Sequence, residues 1–171
     1  MAVWQYRGEL IPELWLIAKH GKIPEALDNY ITTEDTNLDA IEDSHCWRDI
    51  DVPDDLLQRV SAIMPQRTSW TNDAFMFGDD QTSDFEIWYD QGEVDAIYFR
   101  WDLREPDLEV LNQMISLAKS LGAHIVSGDR ATVIEPDFYA VLNDVQKSNA
   151  YRFCKDPKAF LTELGRKNDE E

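Results

Sequence analysis

Three runs of alternating apolar and polar residues lie close together in the middle of the chain, and they constrain its fold more than any other feature. Phe85, Ile87 and Tyr89 alternate with Glu86, Trp88 and Asp90. Ile97, Phe99, Trp101 and Leu103 alternate with Ala96, Tyr98, Arg100 and Asp102, and Phe75 and Phe77 begin a shorter run. A period of two is the geometry of a strand with one face buried. Gln91-Gly92 separates the two longer runs and predicts a tight hairpin turn. Ser127-Gly128-Asp129 predicts a second hairpin, joining residues 124–127 to 131–134.

Other segments carry helical periodicity. Over 53–64, Pro53 occupies a favoured first position, and Leu56, Leu57, Val60, Ile63 and Met64 form one stripe that Pro65 ends. Over 106–122, Leu108, Leu111, Ile115, Ala118 and Leu121 form a buried face that Gly122 closes. A third helix starts at Pro136 with Phe138, Val141, Leu142 and Val145 inward. A fourth has Asp156 as cap and Pro157 first, carries Phe160, Leu161 and Leu164, and is expected to close at Gly165. Residues 1–20 and 46–50 fit strand or helix. Together these segments predict an α+β fold: an antiparallel sheet of hairpins in a central meander, with about four helices packed mainly on one face. No linker-like stretch divides the chain, so residues 1–165 read as one domain and 166–171 as a charged, frayed tail. On the sheet, Ile97, Phe99, Trp101 and Leu103 are expected to face inward. The opposite face would carry Trp88, Tyr98, Glu86 and Arg100, covered by the N-terminal segment or offered to a partner.

Charge is distributed unevenly. The 171 residues hold 34 acids against 16 Lys and Arg, a formal charge of −18. Residues 25–99 account for 19 of those acids and for three bases, Arg48, Arg59 and Arg67. Residues 73–95 contain eight acids and no base. Like charges at this density repel and cost stability, but they speed the approach of a cationic macromolecule. Direct binding to nucleic acid or to an anionic membrane surface is disfavoured, because both need a cationic footprint. No apolar run approaches the roughly 18 residues of a membrane span. Glu9, Pro12 and Glu13 interrupt the N-terminal apolar residues, which therefore read as folded structure and not as an export signal. On that basis Cys46 and Cys154 are expected to be reduced thiols of a cytoplasmic protein, although spacing does not exclude a disulfide.

A search for catalytic chemistry finds no established pattern. Glu42, Asp43, His45 and Cys46 are all ligand types within five residues, but they match no zinc spacing. Asp49-Ile50-Asp51 lacks the alternation and central glycine of a calcium loop. No phosphate-binding glycine loop or nucleophile elbow occurs, and His20, His45 and His124 have no motif partner. Pro106-Asp107 and Pro136-Asp137 are better explained as helix starts, where an acid is favoured. No cofactor is implied, and a binding protein is expected, not an enzyme.

One stretch resembles a known group. It begins with Ile97-Tyr98-Phe99-Arg100-Trp101-Asp102-Leu103-Arg104 and continues through a helix and a hairpin to Val133-Ile134-Glu135-Pro136. A further helix leads to Ser148-Asn149-Ala150-Tyr151-Arg152-Phe153 and Asp156-Pro157-Lys158-Ala159-Phe160-Leu161. This pattern resembles small bacterial proteins that include the immunity proteins of polymorphic and contact-dependent toxin systems. The resemblance implies inhibition of a cognate toxin by tight binding, with no catalytic residues. The expected partner is a basic toxin domain, a nuclease being the class that anionic complementarity favours. Expected contacts are Asp79, Asp80, Asp84, Glu86, Trp88, Asp90, Glu93 and Asp95, then Asp39, Glu42, Asp43, Asp49 and Asp51. The acids would steer and pair, and Trp88 would anchor. The alternatives are a nucleic-acid mimic that inhibits DNA-binding proteins, and a small enzyme with a metal site at Glu42, Asp43, His45 and Cys46. Oligomeric state is not legible in the sequence.

Overall fold

A computed structural model describes residues 3–27 and 45–169, with side chains as far as 163. The elements in chain order are β1 (Gln5–Pro12), α1 (Glu13–His20), α2 (Leu56–Ile63), β2 (Gln66–Arg67), β3 (Ala74–Gly78), β4 (Asp84–Asp90) and β5 (Glu93–Asp102). They continue with α3 (Leu108–Ser120), β6 (Ala123–Ser127), β7 (Val133–Ile134), α4 (Phe138–Val145), α5 (Asn149–Lys155) and α6 (Pro157–Asp169). The fold is α+β, with a seven-stranded antiparallel sheet in the order β2-β3-β4-β5-β1-β6-β7.

Strands β2 to β5 form the expected meander. At the β4–β5 turn, Gln91 and Gly92 both have positive φ, 50° and 87°. Such a turn matches the right-handed twist of the flanking strands, and glycine adopts it without strain. The register shifts between Trp88 and Tyr89, leaving Asp95 as the extra residue between Val94 and Ala96.

The first residues, left open as strand or helix and as one of two possible covers for the sheet's outer face, do not lie over the sheet. They enter its centre: β1 pairs with β5 through Gln5↔Asp102 to Glu9↔Tyr98, and with β6 through Gly8↔Ser127 to Pro12↔Ala123. Periodicity left this segment ambiguous because a central strand is buried on both faces and loses its polar alternation. Seven of its eight residues are buried, Arg7 being the half-buried exception.

Along one face of the sheet lie Tyr6, Phe85, Ile87, Ile97, Phe99, Trp101 and Ile125, all buried. Phe85 and Phe99 stack with ring centres 6.4 Å apart. Leu56 and Val60 of α2, five residues of α3, and Val141 and Val145 of α4 are buried in the same core cluster. Tyr6 donates its hydroxyl hydrogen to Asp144 of α4 at 2.8 Å, and Arg130 also pairs with Asp144. Burial, then the charge and hydrogen bond of Asp144, holds the Tyr6 phenol well above its usual range.

Helix boundaries follow caps more closely than prolines. The first predicted helix begins at Leu56, after a turn in which Leu56 N–H bonds Pro53 carbonyl. Asp107 caps α3, accepting from the N–H groups of Glu109 and Val110, and Asp137 and Asp156 accept from Ala140 and Ala159. Gly165 does not close the last helix, which continues to Asp169. Six helices lie among the described residues, because α1 and α5 join the four expected.

The close packing of β1 has one strict requirement. A Cβ at Gly8 would lie 2.5 Å from Phe99 Cε1 and 2.9 Å from Ile125 Cγ2. Both neighbours belong to buried strands, so neither can yield cheaply. Gly8→Ala should destabilise the fold by about 1–3 kcal/mol, an overpacking cost, read as a lower urea midpoint at unchanged slope.

Candidate functional site

The sheet's other face carries the charge. Asp84, Glu86 and Trp88 of β4 stand opposite Arg100, Tyr98 and Ala96 of β5, with Arg7 and Glu9 of β1 next in register. Arg100 binds Asp84 through both Nε and Nη2, the Nε contact being 2.7 Å, and reaches Glu86 at 2.8 Å. Arg67 of β2, opposite Met76 of β3, adds a bond to Asp84 at 3.2 Å. Burial pulls the Arg100 guanidinium down, but the hydrogen bond and charge of Asp84, then Glu86, outweigh it and leave its pKa raised.

This cluster corrects the expected contact surface. Asp84 is 0% exposed and belongs to the interior of the protein, so its carboxylate cannot meet a partner. Glu86 is half-buried and accepts from Arg100 and from Trp88 Nε1 at 3.1 Å. Tyr98, on the same face, is 7% exposed beneath Arg7, whose guanidinium carbon lies 4.6 Å from its ring centre. Burial pushes the Tyr98 phenol far up, and Glu9 adds to it.

The remaining acids of the hairpin separate to opposite ends of β4, about 20 Å apart for six residues of extended chain. At one end, the turn with Asp79 and Asp80 is tied down. Gln5 Nε2 donates to the carbonyls of Asp80 and Thr82 at 3.0 and 2.5 Å, and Arg104 Nη2 donates to that of Gln81 at 2.6 Å. Arg104 also lies 4.3 Å over the Trp4 ring and binds buried Asp102 at 2.7 Å. Asp79 and Asp80 are exposed, and Arg104 reaches the same turn at the Gln81 carbonyl.

At the other end the balance is anionic. Glu93, Asp73, Asp49 and Asp51 are exposed, and Asp90 and Asp95 are half-buried. Arg48 binds Asp90 at 3.0 Å, and His45 Nδ1 lies 2.6 Å from Asp95 Oδ1. These two contacts hold residues 45–50 against the β4–β5 turn. Trp47, buried, anchors the segment by donating Nε1–H to the Leu10 carbonyl at 2.9 Å. Asp39, Glu42 and Asp43 lie outside the described residues. Among the described residues the acids are thus not one array, and a regular phosphate-like row of the kind a nucleic-acid mimic needs is interrupted at buried Asp84.

Sequence reasoning missed Trp70, in the loop between β2 and β3. It is 78% exposed and meets Trp88 edge-on, ring centres 5.7 Å apart. Its lack of any periodic neighbours was the available signal. Trp88 itself is half-buried.

Of the proposed metal ligands, Cys46 is buried and His45 faces Asp95; among the described residues no group of three or more His, Cys, Asp or Glu converges as a metal site. Cys46 and Cys154 are not joined in a disulfide, and burial raises the Cys154 thiol pKa. Among the described residues no helix is long and apolar enough to cross a membrane. Comparison with known protein families, with curated proteins and with solved structures finds no match.

Two outcomes test the charge assignment. Asp84→Asn should cost about 3 kcal/mol, because it strips a buried charge partner from Arg100, while replacing Asp84 and Arg100 together by Leu and Met should recover much of that loss. A double-mutant cycle by urea denaturation reads both. Asp102 is held below the usual carboxylate range, chiefly by the hydrogen bond from Arg104, against the opposing effect of burial. A lowered folded pKa contributes stability above the unfolded pKa and loses it as pH falls through the folded value. Arg104→Gln should therefore be less stable than the native protein near neutrality, and the gap should close as acid protonates Asp102. Carboxyl carbon NMR titration should show the Asp102 midpoint moving up in the variant.

Proposed function

We propose that this chain is an acidic, immunity-type inhibitor that binds a basic toxin domain, most suitably a nuclease, and occludes it stoichiometrically. The observation that carries the reading is the anionic end of the sheet. There Asp73 and Glu93 are exposed beside Asp90 and Asp95, Asp49 is exposed next to Arg48, and Arg48 is the cation that pairs with Asp90. A nuclease must hold phosphates with cationic groups, so a surface of this sign competes for the same groove. Charge complementarity accelerates encounter, and desolvated aromatic contacts at Trp88 slow release. Inhibition needs no turnover, only occupancy, and would act in the cytoplasm of the producing cell.

The reading is supported by the concentration of charge in residues 25–99 and by an internal arrangement that spends Asp84 and Glu86 on the fold while Asp73 and Glu93 remain exposed at the turn end, where Arg48 pairs with Asp90. The experiment first reads the adjacent open reading frames for a large secreted protein with a basic C-terminal domain, and then co-expresses that domain with this chain in a bacterial host. The expected result is relief of growth arrest and a one-to-one complex by light scattering. Asp90→Lys with Glu93→Lys should slow association about tenfold at low salt and flatten its salt dependence. Persistent toxicity with no complex, the lack of any such basic neighbour, or a salt-independent association rate would overturn the proposal.

A further inference from the structure

We propose that Trp70, backed by Trp88, is the seat for an arginine side chain of the cationic partner, an inference that rests on the inhibitor reading above. Residues 68–73 bring the chain from β2 back to β3, and Trp70 is at the crest. The loop is cross-linked on both sides of it. Thr71 N–H donates to the Ser69 hydroxyl at 3.2 Å, Asp73 N–H donates to the Thr71 hydroxyl at 3.2 Å, and that hydroxyl donates to Asp73 Oδ2 at 3.3 Å. The Asp73 carbonyl then accepts Tyr89 N–H at 2.7 Å, which fastens the loop's end to β4.

Beneath the crest, Trp88 is oriented by its Nε1–H bond to Glu86. Its register partners on either side, Ala74 and Ala96, are small, so the indole has room on the sheet. Trp70 meets Trp88 at an interplanar angle of 63°. The outer indole is therefore held by its neighbours but left 78% exposed. A large aromatic in a well-ordered place that water still reaches is the composition of an interface anchor.

The surrounding charge selects the occupant. Asp73 adjoins Ala74, opposite Trp88; Asp90 lies two residues beyond Trp88 on the same face; Glu93 is opposite Asp90. A second copy of a chain with charge −18 would bring like charges together here. A neutral apolar segment would gain nothing from the carboxylates. A guanidinium satisfies both features at once, because it stacks flat on an indole and pairs bidentately with a carboxylate. An ammonium is more strongly hydrated and does only part of this.

The test uses nona-arginine and nona-lysine peptides as probes, titrated against the full chain by calorimetry at several salt concentrations. The arginine peptide should bind more tightly than the lysine peptide. Trp70→Ala should weaken arginine-peptide binding roughly three- to thirtyfold, abolish the preference and leave the salt slope unchanged. Tyr139→Ala, which removes an equally exposed aromatic elsewhere, should leave binding unchanged. An unaltered urea midpoint shows that Trp70→Ala is folded, and Trp70→Phe should retain part of the preference. The anchor is refuted if Trp70→Ala binds within twofold of the native protein, or if Tyr139→Ala loses as much. The combined Asp73→Asn, Asp90→Asn, Glu93→Gln variant separates the two claims. If it keeps the native affinity and salt slope, the acidic docking reading itself fails; if it weakens binding while Trp70→Ala does not, only the anchor fails.

Discussion

The molecule depends on a strand that is bonded along both edges. β1 lies between β5 and β6, so the first dozen residues join a meander some 90 residues downstream to a hairpin some 115 residues downstream. Such contacts reward the chain only after large loops have closed, and they form as one cooperative unit. Gly8 makes the union possible, because Phe99 and Ile125 occupy the space that a side chain would need. Gln5, the first residue of the same strand, carries the constraint outward by gripping the β3–β4 turn. Tyr6 carries it inward to α4 through Asp144.

That arrangement decides how a strongly acidic chain tolerates its own charge. The centre of the sheet's polar face holds Asp84 and Glu86, but it also collects Arg67 and Arg100 from strands on either side. Two of the few cations available are thus spent where a carboxylate is fully buried and would otherwise be untenable. Arg104 serves the β3–β4 end in the same way. Among the described residues, the acids at the β4–β5 end include exposed Asp73 and Glu93, where water and salt screen their repulsion.

Much of the fold was legible locally. Alternation located β3, β4 and β5, the Gln91-Gly92 pair located their tightest turn, and prolines together with the Asp156 cap marked four helix starts to within a few residues. What was not legible was order in space. β1 looked ambiguous because burial on both faces erases alternation, and α5 was missed because a seven-residue helix offers too little periodicity. For the candidate site, the anionic blocks were visible as composition, but Asp84 and Asp90 are indistinguishable in one dimension. One is enclosed by two guanidiniums; the other is half-exposed at a turn with Arg48.

The amino-acid sequence by itself determined the class of the fold, the positions of its hairpins and the approximate starts of four helices, and the presence of a large anionic excess in the middle of the chain. Each of these rests on interactions within a few residues or on counting. Only the tertiary structure decided which carboxylates are neutralised, which remain facing water, and that Trp70 stands uncovered above Trp88. Those outcomes depend on strand neighbours distant in sequence, and burial of a charge is set by what surrounds it in three dimensions, not by what precedes it in the chain.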